Sequence, residues 1–266
     1  MLELLLIAIV LYLLATRCRS GHPGLKDLQG WSYAHRGLHG GGIPENSMAA
    51  FKAALDAGYG IELDIHLLKD GNLAVIHDSL LNRTTGRAGH VEDLTTEQLK
   101  DYFLEGTVQT IPEFMDVQTL YNGKAPLIIE LKPENGNHAA LAEATCKMLE
   151  TYKGVFCIES FDPRCVAWLK KNRPDIIRGQ LTENFTKSRS DLPDYLKFAL
   201  THCLTNLLCV PDFVAYKFAD RRDSFSVRLC RQLWKAQGVT WTLRTKDDYD
   251  EAVKEGWIPI FEGFRP

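Results

Sequence analysis

The sequence predicts a single (β/α)8 barrel of the TIM type. Short β-branched runs alternate with amphipathic helical stretches from Trp31 to the C-terminus, giving eight candidate strands over most of the chain. Polar clusters recur at the ends of those strands, where barrel enzymes place their sites. No GxGxxG follows the first strand, which argues against the rival doubly wound sheet.

Composition agrees. The chain has 266 residues, 45% apolar and 24% charged, so disordered, collagen-like and disulfide-dense classes are excluded. A chain of this mass buries roughly three-quarters of its unfolded surface, enough for one large core. The net charge of -3 leaves no basic excess to grip a phosphate backbone, and nucleic acid is excluded as a partner. Seven cysteines with no CxxC pair exclude zinc-knuckle and thioredoxin-like spacings, and the odd count forbids a complete disulfide framework. They read as reduced, buried thiols of a cytosolic chain.

The first element is an apolar run, Leu4–Ala15, preceded by Glu3 and followed by Arg17, Arg19 and Lys26. A secretory signal has the opposite charge order, so the run reads as an uncleaved anchor in a single-pass membrane protein, although it is shorter than the ~20 residues that span a bilayer comfortably. Basic residues on its C-terminal flank place the catalytic domain in the cytoplasm. The expected organisation is a membrane anchor at 1–20, a short linker at 21–30, and the barrel domain at 31–266.

Strands are expected at Ser32–His35, Gly60–Ile65, Leu73–His77, Pro126–Leu131, Val155–Glu159, Ile176–Gln180, Asp212–Tyr216 and Val239–Leu243. Helices are expected at Ser47–Ala57, His138–Tyr152, Pro163–Lys171 and Ser224–Ala236. The link between the second and third strands is too short for a helix, and Asp70-Gly71 is a hairpin signal. With those two residues as the turn centre, Asp64 falls opposite His77.

Four polar clusters sit at strand ends: His35-Arg36-Gly37, Glu62-Leu63-Asp64, His77-Asp78 and Glu130-Leu131-Lys132. Alternation along a strand aims Glu62 and Asp64 to one face, and Glu130 and Lys132 likewise. Three carboxylates gathered in a barrel mouth need a cation, and their hard oxygens suit Mg2+ or Ca2+ rather than zinc. His35 and His77 beside that ion suit a base and an acid, and Arg36 and Lys132 suit an anionic group. Together they point to a phosphate ester. His39, His66, His90 and His202 have no clear partners and read as structural or solvated.

These motifs, with Pro44-Glu45-Asn46-Ser47, Asp70-Gly71 and Thr84-Thr85-Gly86, resemble the glycerophosphodiester phosphodiesterases; the resemblance runs on through Glu159-Ser160-Phe161 and Trp241-Thr242. It implies a barrel of the phosphatidylinositol-specific phospholipase C type that cleaves glycerophosphodiesters to sn-glycerol 3-phosphate and an alcohol. It implies His35 and His77 as the catalytic pair, Glu62, Asp64 and Glu130 as metal ligands, and Arg36, Lys132 and Trp241 as substrate contacts. Leu68 and the C-terminal Glu262-Gly263-Phe264-Arg265-Pro266 depart from the family pattern. Glu45 is expected in the metal site or beside Arg36, and Asn46 as a helix N-cap. One rival keeps the site and changes the substrate to a lysophospholipid, making the chain a lysophospholipase D at a membrane. A second is a non-catalytic phosphodiester-binding barrel, against which the intact histidines, carboxylates and cations argue.

Overall fold

In the computed structural model, which describes residues 1–188 and 192–266, eight parallel strands close into a barrel. They are β1 (Tyr33–His35), β2 (Gly60–Leu67), β4 (Leu127–Leu131), β5 (Phe156–Ser160), β6 (Arg178–Thr182), β7 (Phe213–Lys217), β8 (Gln237–Leu243) and β9 (Trp257–Phe261). The ring closes where β1 pairs in parallel with both β2 and β9.

Two strand expectations change. Leu73–Val75 (β3) lies outside the ring, antiparallel to β2, and the barrel's last strand is Trp257–Phe261, which the sequence reading left unassigned. Pro259 inside that run removes a ladder donor and masks the strand signal. The hairpin register also shifts by one. Ile65 pairs with Val75 and Leu67 with Leu73, so Asp64 faces Ile76 rather than His77. The cause is a three-residue turn: Leu68 N–H donates to Asn72 O at 2.8 Å, and Gly71, at φ +85°, takes the left-handed position.

Alternation then sorts side chains into two layers. Ile61, Leu63, Ile65, Leu127, Ile129 and Leu131 point outward and pack with Phe51, Phe114, Val117 and Tyr121 of the surrounding helices. Tyr33, Ile128, Cys157, Phe213, Val239 and Ile258 point inward and plug the lower barrel. One or two residue pairs further along these inward columns come His35, Glu130, Glu159, Trp241 and Glu262, with Asp64 of β2 level with Glu130. The apolar plug is therefore the floor of the polar site.

The helix after the first cluster is Met48–Asp56. Its N-cap is Ser47, whose Oγ accepts from Ala50 N–H at 3.1 Å, so Asn46 is not the cap. Gly37 permits this helix to approach: a Cβ there would lie 2.8 Å from Ala50 Cβ. The other expected helices form as His138–Leu149, Pro163–Asn172 and Phe225–Gln232.

The N-terminal expectation of a single-pass membrane protein is not upheld. Among the described residues no helix is long and apolar enough to cross a membrane. Leu2–Ala15 has 14 residues, about 21 Å at 1.5 Å per residue, against a hydrocarbon core of ~30 Å. The orientation inferred for such a span falls with it. The helix is largely exposed but tied at its C-terminal end, where Tyr12 Oη is 2.8 Å from Ser226 Oγ. Thr16 and Cys18 are buried beyond it, and Arg19 reaches Asp212 at 2.5 Å.

Candidate active site

The barrel's C-terminal mouth holds a cavity of about 370 Å3, lined by His35, Arg36, Glu62, His77, Glu130 and Lys132 among others. Asp64 is buried beside these residues, its Oδ1 3.1 Å from Lys132 Nζ. β-Ladder register explains the convergence: His35 is level with Glu62, and Asp64, Glu130 and Glu159 form one row across β2, β4 and β5.

Glu62, Asp64 and Glu130 are all buried and offer oxygens within 4.8 Å of one another. Lys132 Nζ bridges two of them, 2.7 Å from Glu130 Oε1 and 3.1 Å from Asp64 Oδ1. Arg36 Nε is 3.4 Å from Asp64 Oδ2, and the Arg36 backbone N–H donates to Glu62 Oε2 at 3.2 Å. The electrostatics follow from that uneven sharing. Burial pushes the Glu62 carboxyl well up, reinforced by Asp64 and Glu130. Burial also raises Glu130, to about 7, against the pull of Lys132. Asp64 goes the other way: burial opposes its charge, but Lys132, His77 and Arg36 outweigh it and hold the carboxyl well down. A site with three acidic groups and two cations keeps part of its acidity unneutralised, and hard, oxygen-only donors of this kind suit a divalent ion such as Mg2+ or Ca2+.

Each histidine is gripped from behind by a carboxylate. His35 Nδ1–H donates to Glu262 Oε2 at 2.5 Å, and His77 Nδ1–H donates to Asp78 Oδ1 at 2.5 Å. A carboxylate only accepts, so Nδ1 carries the proton and Nε2 is left as the free lone pair. His35 Nε2 lies 3.8 Å from Glu62 Oε2. Burial lowers both imidazole pKa values, His77 to about 4, with Asp64 opposing the shift. Both rings are therefore neutral near pH 7. Each carboxylate is in turn anchored by an arginine: Arg244 reaches Glu262 at 3.0 Å, and Arg83 holds Asp78.

All eight expected residues converge here, with Trp241 on the cavity wall against Phe161 at 5.5 Å between ring centroids. Glu45 stands beside Arg36, 3.0 Å from its Nη1, and not in the carboxylate cluster. Asn46 has a different role from the N-cap expected: its Nδ2 donates to Asp64 Oδ2 at 2.8 Å. His66 is buried between Glu92 and the backbone oxygen of His77, as a structural histidine should be. His39 comes within 4.8 Å of His35 and Glu262. Glu262, Asp78 and Glu159 belong to the sequence motifs, which assign them no role. Only Asp78 had a local signal, its adjacency to His77.

A parallel barrel with acidic residues, paired histidines and two cations at its C-terminal mouth defines the class of barrel phosphodiesterases. Residues 35–262 match the Glycerophosphoryl diester phosphodiesterase family, and the chain belongs to that family. It is similar to a glycerophosphodiester phosphodiesterase of Bacillus altitudinis, 37% identical over 161 residues, covering 56% of this chain and 65% of that one. A lysophospholipase D of Rattus norvegicus is 32% identical over 133 residues, 45% of this chain and 41% of the relative. The matched region thus spans less than two-thirds of either relative. Among solved structures, an Oleispira antarctica phosphodiesterase in complex with the product sn-glycerol-3-phosphate superposes with a TM-score of 0.72 at 21% identity, covering 92% of this chain and 95% of that one. At that identity the likeness concerns the fold.

Proposed function

We propose that this chain hydrolyses glycerophosphodiesters to sn-glycerol 3-phosphate and an alcohol, with a divalent ion and two histidines. The observation that carries this reading is the pair of carboxylate-held imidazoles facing one cavity across a three-carboxylate cluster. Glu62, Asp64 and Glu130 would hold Mg2+ or Ca2+, which when bound withdraws charge from phosphoryl oxygens and strengthens electrophilic phosphorus. Arg36 and Lys132 bind and orient the anionic phosphodiester. One histidine accepts the proton of the attacking oxygen at Nε2; the other, neutral at rest, first takes a proton from solvent at Nε2 and then gives it to the leaving alkoxide, while the first imidazolium returns its proton to solvent, so the proton count balances over a turnover. Glu262 and Asp78 fix each ring's tautomer and stabilise the imidazolium as it forms. Trp241 lines the substrate pocket, and 31–266 is the catalytic domain.

A second reading concerns the alcohol. A cavity of about 750 Å3 opens beside the site, sharing His77, Glu130 and Lys132 and walled by apolar groups such as Phe185, Leu196, Leu200 and Leu208. That space suits an acyl chain, which favours lysophospholipids as further substrates. The test is hydrolysis of glycerophosphocholine, glycerophosphoethanolamine and lysophosphatidylcholine by the purified protein with and without EDTA. Metal-dependent cleavage of the first two supports the main reading, and turnover of the third supports the second. Failure on all three overturns both.

A further inference from the structure

Two buried polar groups in the mouth have no hydrogen-bond partner among the described residues. Glu159, at 1% exposure, lines the same cavity as His35 and His77, and neither of its carboxylate oxygens meets a hydrogen-bond donor among the described residues. Lining the same cavity, Trp241 has a buried Nε1 donor that meets no acceptor among the described residues. Buried polar atoms are almost always hydrogen-bonded, so an orphan acceptor and an orphan donor on two residues that line one cavity ask for a ligand that both gives and takes.

Fold position supports pairing them. Glu159 points inward on β5 in register with Glu130, and Phe161, two residues on and on the same face, packs edge-on against Trp241. The Glu159 carboxylate is not among the residues whose oxygens cluster within 4.8 Å, so it stands beside the acidic triad rather than inside it. A cationic ligand is disfavoured, because Lys132, Lys217, Arg36 and Arg244 line this cavity and Lys132 Nζ already lies 5.9 Å from the Phe161 ring centre. A neutral group that donates to a carboxylate and accepts from an indole N–H is a hydroxyl.

We propose that Glu159 and the Trp241 indole N–H form a hydroxyl-recognition subsite that selects the glycerol side of the substrate. Glu159 accepts from one or both glycerol hydroxyls, and Trp241 Nε1–H donates to one of the same oxygens. The inference rests on the glycerophosphodiester reading and deepens it: the acid–base and ion-binding groups act on any phosphodiester, whereas this pair distinguishes a polyol ester from a plain one. A site built around hydroxyl hydrogen bonds rejects analogues lacking the hydroxyl, since its buried polar atoms are then left unpaired.

The experiment compares wild type, Glu159→Gln, Glu159→Ala and Trp241→Phe on glycerophosphocholine and on bis(p-nitrophenyl) phosphate, which has no glycerol hydroxyl. Calorimetric Mn2+ affinity and Tm are measured alongside. Expected for Glu159→Ala is a loss of kcat/KM on the order of 10–100-fold with glycerophosphocholine, as when a buried polar group is left without its partner, and a change under threefold with the aryl ester. Glu159→Gln retains one acceptor and should fall between, and Trp241→Phe, which also alters the pocket wall, should lose more kcat/KM with glycerophosphocholine than with the aryl ester while Glu159 is intact. Equal losses on both substrates, weakened Mn2+ binding in Glu159→Ala, or no loss in any variant each overturn the subsite. If Glu159→Ala fails to fold, Trp241→Phe alone decides by the same ratio. Inactivity of wild type on glycerophosphocholine with retained aryl-ester cleavage would instead overturn the underlying substrate reading.

Discussion

Lys132→Met should be destabilising to a degree that depends on pH and on metal. Lys132 is the only residue that contacts two of the three clustered carboxylates as an ion pair among the described residues, and its side chain is 16% exposed. Removing one member of a buried charged pair costs about 3–5 kcal/mol, because the other charge stays buried without compensation. Protonation offers a way out. Glu130 already sits at about 7 with Lys132 present, and losing that cation moves it further up. A folded-state pKa above the unfolded value contributes stability at low pH that is lost as pH rises through it, so the variant's deficit should be greatest at pH 8 and shrink toward pH 5. A divalent ion supplies the missing charge: at 100-fold excess over Kd it adds about 2.7 kcal/mol by mass action. Urea unfolding followed by tryptophan fluorescence at pH 6 and 8, in EDTA and in Mg2+, gives all four values. A deficit under about 1 kcal/mol at pH 8 in EDTA would refute the cluster electrostatics.

His35→Ala and His77→Ala should each lower kcat by about 10²–10⁴-fold, and the double variant should lose little more than the worse single, because the rings act as one unit; steady-state kinetics decide. Burial raises the Glu262 carboxyl but its bond to His35 and Arg244 overcome this, holding it at about 2. Its contribution to stability is therefore complete above its ordinary value of 4.5 and lost as pH falls toward 2, so Glu262→Gln should flatten the acid limb of a Tm-against-pH curve. Asn46→Ala strips Asp64 of the side-chain amide that donates to it, and should weaken metal affinity about 10–100-fold by calorimetry while the fold survives.

Legibility in the sequence followed the period of two. His35, Glu62, Asp64, Glu130, Lys132 and Trp241 all lie on inward columns, and local motifs were enough to mark the first five. Glu262 was out of reach because its strand went unseen: Pro259 broke the pattern, and the His35 partner lies 227 positions away. Glu159 was visible as a motif member but needed the β4–β5 register to be placed beside Glu130. Asn46 was misjudged because Asn and Ser both cap helices well, and tertiary contact with Asp64 decided between them. The His77–Asp64 register failed by one because the turn holds three residues, so Asp64 faces Ile76. The apolar N-terminal run was legible as a helix, but its length in the structure does not support the single-pass reading.

The most direct test is phosphorus NMR of glycerophosphocholine incubated with EDTA-treated protein before and after Mg2+ or Ca2+ is added. The account predicts no change in EDTA and, once metal is present, a single new resonance at the position of sn-glycerol 3-phosphate with choline released. Appearance of phosphocholine, or an unchanged spectrum with either ion, would contradict it.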